Sequence, residues 1–296
     1  MMMKNGILRS SMLILMAVVS LAATHKIGNL NAVASTDTAR LRFDTVFLTL
    51  NGASEAGALF APAISLNPNA TEYVEDYIAD NTELLQSIKA KSARYFRVAD
   101  QIFSRYHLPQ ELKYLAVVES ELKMSALSKV GARGPWQLMP ETARLLSLKV
   151  DGQRDDRTHY YKSTVAAALY LRDLHGIFKD WLLTIAAYNS GPGKVFEAIR
   201  KSGSRNFWQL QAYLPAETRG HVKKFVATHY YFEGKGSVAT LTREEVKGYR
   251  EIMLAYVAGY NNRIDAALGT PDNSTDLAPN KADVARVEPR FANVIE

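Results

Sequence analysis

Residues 108–140 carry an apolar helical pattern, then a glycine-punctuated loop, then the start of another helix. Leu112, Leu115, Ala116, Glu119 and Leu122 recur at i, i+3, i+4, i+7 and i+10, the spacing of one helix face. Leu108-Pro109 is predicted to open this helix, because proline at the first helical position gives up an N–H that has no partner there anyway. Val117 and Val118 fill other sides, so the helix is expected to be buried nearly all round. Such a helix needs other elements packed about it. Glu119 sits on the apolar stripe, where a carboxylate is costly unless protonated or paired. Burial also raises a carboxyl pKa toward the range of a general acid at neutral pH. The competing view is a structural glutamate satisfied by an arginine or a backbone donor.

Helix signals recur along the chain, strand signals are nearly absent and there is no internal repeat, so an all-α fold is expected. Tyr73, Val74, Tyr77 and Ile78, then Leu84, Leu85 and Ile88, predict two helices. A third is predicted over 95–106, all three packing beneath the Glu119 helix. Ser163-Thr164 is predicted to cap an alanine-rich helix over 163–179. Helices over 181–189 and 195–200 follow, the first stopped by Asn189-Ser190-Gly191-Pro192-Gly193. Leu214-Pro215 opens another, with His221, Phe225 and His229 on one stripe at i, i+4 and i+8. Thr242-Arg243-Glu244-Glu245 reads as a capping box ahead of an amphipathic helix carrying Val246, Tyr249, Met253, Tyr256 and Tyr260.

The N-terminus has Lys4 and Arg9, an apolar run over 12–19 and then small residues. These are the three parts of a signal peptide. The run is short for a span of about 20 residues, and an uncleaved anchor is the alternative. With no cysteine, the chain as it stands excludes disulfides, thiolate metal sites, a thiol nucleophile and an acylated-cysteine anchor. Its six histidines show neither HExxH nor i,i+4 pairs, so no metal is expected. Net charge is +6, but residues 91–235 hold 23 Lys and Arg against 13 Asp and Glu. A basic middle suits an anionic polymer, whether nucleic acid or a cell wall whose peptide stems carry carboxylates. No run of basic residues interleaved with aromatics supports nucleic acid.

Gly131 and Gly134 free the backbone to approach a ligand. With Trp136 and Gln137 beside a buried acid, the loop suits a sugar. Glu119-Ser120, Ser128, Gly131-Ala132-Arg133-Gly134-Pro135-Trp136-Gln137-Leu138-Met139-Pro140 and Ala186-Ala187-Tyr188-Asn189-Ser190-Gly191-Pro192-Gly193 resemble the motifs of the lytic transglycosylase catalytic domain. The Gly134-Pro135-Trp136-Gln137 form and Asp156-Arg157 resemble its membrane-bound type D subgroup. The resemblance covers roughly residues 66–234. It implies a lysozyme-like helical domain over 99–235; the residues themselves predict a signal peptide (1–23), a flexible linker (24–63) and a helical extension (64–98) before it. A C-terminal helix (236–268) and a disordered tail (269–296) complete the expected organisation.

Glycoside hydrolysis usually takes two carboxylates, and one good candidate is legible. Glu121 lies about 200° round the helix. Glu141 falls in the first turn of the next helix, where it serves the dipole. Asp155 and Asp156 flank Arg157 as a structural ion pair with a turn. One acid suffices where a 2-acetamido sugar supplies its own nucleophile, a known exception to the rule. The resemblance implies that Glu119 is the catalytic residue, cleaving between N-acetylmuramic acid and N-acetylglucosamine and leaving a 1,6-anhydro end. Ser128, Gln137, Met139, Tyr188, Asn189 and His221 are the implied substrate-binding residues. Ser128 would orient the acetamido group, Gln137 bond the sugar and Tyr188 hold Glu119, while Asn189 could equally be a C-cap and Trp136 divides between sugar stacking and core. His221 stands where the family motif, here Pro215-Ala216-Glu217-Thr218-Arg219-Gly220-His221-Val222, usually has tyrosine. Its ring is expected to titrate near 6.5, unless it is only a core histidine. No cofactor is implied. The implied partner is peptidoglycan glycan strands, acted on by a monomer in the periplasm with transient contacts to cell-wall machinery. A lysozyme-type muramidase and a non-catalytic wall-binding scaffold are the rivals.

Overall fold

The computed structural model describes residues 62–269. The signal-like segment 1–23, nearly all of the 24–63 segment and the tail after residue 269 lie outside the described residues. Among the described residues the protein is all-α, as expected: isolated bridges, not strands, join the loops. No described helix is long and apolar enough to cross a membrane.

The first helix, α1 (Thr71–Arg105), takes the place of the three predicted ones. Its break is at Asn81 (φ −117°, ψ 15°), not in two separate loops. There the Asn81 amide donates to the Tyr77 carbonyl at 2.8 Å and the Thr82 hydroxyl to Ile78 at 2.7 Å. Such side chains compete for helix carbonyls and bend a helix without ending it.

The Glu119 helix, α2 (Tyr114–Ser120), is shorter than predicted at both ends. Pro109 is extended and leads into a 3-10 turn, Gln110–Lys113. Glu121 and Leu122 then turn left-handed (φ 55° and 62°). The N–H of Leu122 closes on the Ala116 carbonyl at 3.2 Å and that of Glu121 on Val117 at 2.8 Å, a left-handed helix end. Leu122 is buried as its spacing suggested, but from the turn rather than the helix.

After α3 (Pro140–Leu145) comes α4 (Tyr160–Phe178), whose cap is His159 and not Ser163-Thr164. The His159 Nδ1 accepts from Lys162 N, while Ser163 and Thr164 are buried and bond back to the His159 and Tyr160 carbonyls. α5 (Trp181–Ser190) is the central helix, buried on every side over 181–187. α4, α6 (Pro192–Ser202) and α8 (Ala216–Glu233) pack around it, and α8 also runs along α1 and α2. The short α7 (Phe207–Leu210) closes one end, and α9 (Arg243–Gly269) follows the predicted capping box, with Thr242 N on Glu245 Oε2 at 2.7 Å. Asp180 braces two helix starts at once: Oδ1 accepts from Leu183 N in α5 at 2.9 Å and Oδ2 from Arg243 N in α9 at 2.7 Å.

Candidate active site

Glu119 is the penultimate residue of α2, and its side chain is 12% exposed. Neither an arginine nor a backbone N–H satisfies it: among the described residues its polar neighbour is His221 of α8, with Nε2 3.3 Å from Oε1. That distance would fit an ion pair, yet N–H and carboxyl are not aligned for a hydrogen bond and Nε2 is otherwise unpartnered. The electrostatics oppose an ion pair. Desolvation first, and the Glu217 charge second, push the Glu119 carboxyl up to about 8. Desolvation, with Lys224 adding to it, pulls His221 down to about 4 rather than the 6.5 expected. An ion pair would move both the other way. At neutral pH the site therefore holds a protonated acid beside a neutral imidazole.

The loop beside Glu119 is built from the residues that the sequence singled out, and most of them grip its backbone. Arg133 pairs with Leu138 and bridges to Leu127, and Gly134 N reaches the Ala126 carbonyl at 2.9 Å. Side chains then take the loop carbonyls one after another. Arg157 Nη1 donates to Gly131 at 2.7 Å and Leu138 at 2.9 Å, the Gln137 amide to Gly134 at 2.9 Å and Ser120 to Pro135 at 2.9 Å. The Tyr188 hydroxyl donates to the Trp136 carbonyl at 2.7 Å. Tyr188 thus does not hold Glu119 directly, although it lies within reach of its charge. Ser128 Oγ accepts from Ala132 N at 3.0 Å, which leaves its proton free. Gln137 keeps its carbonyl oxygen free on a strained backbone (φ 43°). Trp136 belongs to the core: it is 0% exposed and its indole N–H meets Thr164 Oγ1 at 2.9 Å. Asn189 is not the cap of α5, which is Gly191; its Oδ1 accepts from Thr218 in the first turn of α8 at 2.8 Å. Met139 lies exposed on the rim.

Three other carboxylates have partners of their own. Glu121 faces outward and pairs with Lys123 at 2.7 Å. Asp155 clasps Arg157 at 2.8 Å, as expected, whereas Asp156 binds Arg154 at 2.8 Å rather than Arg157.

A family model for the transglycosylase SLT domain matches residues 97–211, the span that contains α2, the loop and α5. This span is similar to the transglycosylase SLT domain. Over 167 residues it is 36% identical to the membrane-bound lytic murein transglycosylase D of Escherichia coli strain K12, a stretch that makes up 54% of this chain and 36% of that protein. The chain thus spans about a third of the length of the curated relatives it matches. The 70 kDa soluble lytic transglycosylase of Escherichia coli is 25% identical with a TM-score of 0.42, over 56% of this chain and 31% of that one. A lytic transglycosylase of Pseudomonas aeruginosa is 24% identical with a TM-score of 0.41, over 47% and 24%.

Two contributors to the site escaped the sequence. Arg157 was legible as half of an ion pair and part of a subgroup motif but not as a clamp on the loop, because its bonds to Gly131 and Leu138 span 26 and 19 residues. Glu217 sits exposed on the first turn of α8, a second carboxylate close enough to raise Glu119. Its place one turn before His221 was the available signal. Both α8 residues lie beyond the stretch that the family model matches.

Proposed function

We propose that this protein is a peptidoglycan lytic transglycosylase that cleaves the bond from N-acetylmuramic acid to N-acetylglucosamine, with Glu119 as its single acid and base. The observation that carries this is a lone buried carboxyl, held protonated at neutral pH, at the edge of an SLT-domain loop. Glu119 gives its proton to the glycosidic oxygen as the bond from C1 to that oxygen breaks. The acetamido carbonyl oxygen closes onto C1. The C6 hydroxyl then attacks C1, the acetamido oxygen leaves it, and the hydroxyl proton returns to Glu119. No water enters, and the products are a 1,6-anhydro end and a free 4-hydroxyl. Acid-then-base duty on one residue is ordinary proton-transfer chemistry, and the intramolecular attack gains from proximity.

Ser128, with its free hydroxyl proton, and Gln137, with its free carbonyl, face the sugar, and Met139 lines the rim. Tyr188 and Asn189 serve by fixing the loop and α8. The signal-like N-terminus supports export to the periplasm, and a basic SLT domain suits the anionic wall. The protein acts there as a monomer on glycan strands.

Glu217 favours one rival: a second carboxylate near the acid is what a hydrolase would use to activate water. Digestion of purified cell wall decides first whether Glu119 matters. Glu119→Gln should fold and sediment with the wall but release products at least ~100-fold more slowly. Turnover near that of the unaltered enzyme would refute the assignment.

A further inference from the structure

We infer that His221 is a positioning residue whose Nε2–H receives the negative charge of Glu119 once the acid has given up its proton. This rests on the assignment of Glu119 as the acid. Four observations carry it. Nε2 lies 3.3 Å from Oε1, and the imidazole is 9% exposed. Nε2 has no other partner among the described residues. No hydrogen-bond donor within the described residues reaches Glu119 in the resting state. The first turn of α8 is tied to α5 by the Thr218 bond to Asn189, which fixes the ring in place.

A buried ring nitrogen without a partner is costly. Beside a protonated carboxyl it can meet only a neutral, weaker acceptor; beside a carboxylate it becomes half of a charge-assisted bond, after a contraction of a few tenths of an ångström. The contact therefore strengthens as charge develops, which is the condition for it to speed a step rather than to tighten binding. The ring proton stays on Nε2 throughout; only the proton of Glu119 moves, to the glycosidic oxygen and back from the C6 hydroxyl.

Several charged and titratable groups face the pair. Glu217 lies one turn before His221 on α8, Lys224 lies one turn after it, and Tyr188 of α5 faces Glu119. Burial and Lys224 discourage a second proton on the imidazole. A charged imidazolium would strip Glu119 of its acid proton before the sugar arrived.

The test compares His221→Phe and His221→Gln with the unaltered chain and with Glu119→Gln. Product release from purified wall is followed from about pH 4 to 9, with wall sedimentation and thermal unfolding alongside. His221→Phe should bind wall normally, turn over ~100-fold more slowly and move its basic limb to higher pH, since a donor to the ionised form lowers a carboxyl pKa. His221→Gln restores an N–H near Nε2. It should turn over within about tenfold of the unaltered chain, keep the basic limb in place and lose the acid limb near 4 that His221 contributes. His221→Phe within threefold of the unaltered chain, an unmoved basic limb in it, or His221→Gln as slow as His221→Phe would overturn the inference. If His221→Phe does not fold, His221→Gln decides alone: a ~100-fold loss in it refutes the donor role. Failure of the Glu119 assignment looks different, since the unaltered chain would then release nothing or Glu119→Gln would match it.

Discussion

Glu119 has to meet its substrate with the proton on, and burial is what keeps it there. The acid should be active below the point at which its carboxyl ionises, so product release should be flat near neutrality and fall about tenfold per pH unit above about 8. A basic limb near 5, in a plot of kcat/KM against pH, would mean that the carboxyl is solvated and ionised. At this scale the sequence was informative about which residues mattered and less so about what they touch. The apolar stripe gave Glu119 its place and its raised pKa. It gave no hint that the ring of His221 would be held near 4, because that depends on Lys224 and on the surrounding burial rather than on the residue itself. Trp136 was undecidable between sugar and core until its bond to Thr164, 28 residues away, came into view. Tyr188 was expected on the acid and instead holds the backbone beside it.

The loop over residues 126–138 is the element that makes the site, and its shape depends on contacts to a distant turn. Gly134 has φ +82°, and a Cβ there would lie 2.0 Å from the Arg157 carbonyl oxygen. Gly134→Ala should therefore cost roughly 3 kcal/mol, from a left-handed backbone plus a backbone clash, and should depress the unfolding midpoint and turnover together. An undisturbed midpoint would show that the loop is not clamped there. Arg157→Lys should cost a similar ~3 kcal/mol, since an ammonium cannot replace a fork that holds Asp155 and two carbonyls at once; recovery of full stability in the lysine variant would contradict this. Helix existence was legible from apolar spacing over most of the described chain. Boundaries were not, for local reasons. Leu122 continues the i, i+3, i+4 pattern, but it and Glu121 adopt φ values that end α2. Ser163 and Thr164 looked like caps, but His159 starts α4 one turn earlier. The Asn81 side chain bends α1 where a break between helices was expected.

Across the whole molecule, buried titratable groups set an unusual stability profile. Glu119, at about 8, and Asp180, raised mainly by desolvation to about 6, bind protons more tightly folded than unfolded. They add stability as pH falls toward their ordinary values. His175, His221 and His229 are each held near 4, chiefly by desolvation. They remove stability as pH falls from about 6.5 to 4, by up to ~3 kcal/mol apiece. Three histidines outweigh two carboxyls on the acid side, whereas Glu119 acts alone between about 6.5 and 8. The unfolding midpoint should thus peak at about pH 6 to 6.5 and fall on both sides, and Glu119→Gln should flatten the alkaline fall and steepen the acid one. A midpoint that rises steadily to pH 8 would contradict this. The central claim, that one acid and the substrate's own groups carry out the cleavage, is tested most directly by the mass of the products. The full chain should release muropeptides from purified wall that end in 1,6-anhydro-muramic acid, one water lighter than hydrolysed ends. Products carrying the added water would show that Glu119 works as a muramidase acid, with Glu217 the place to look for its base.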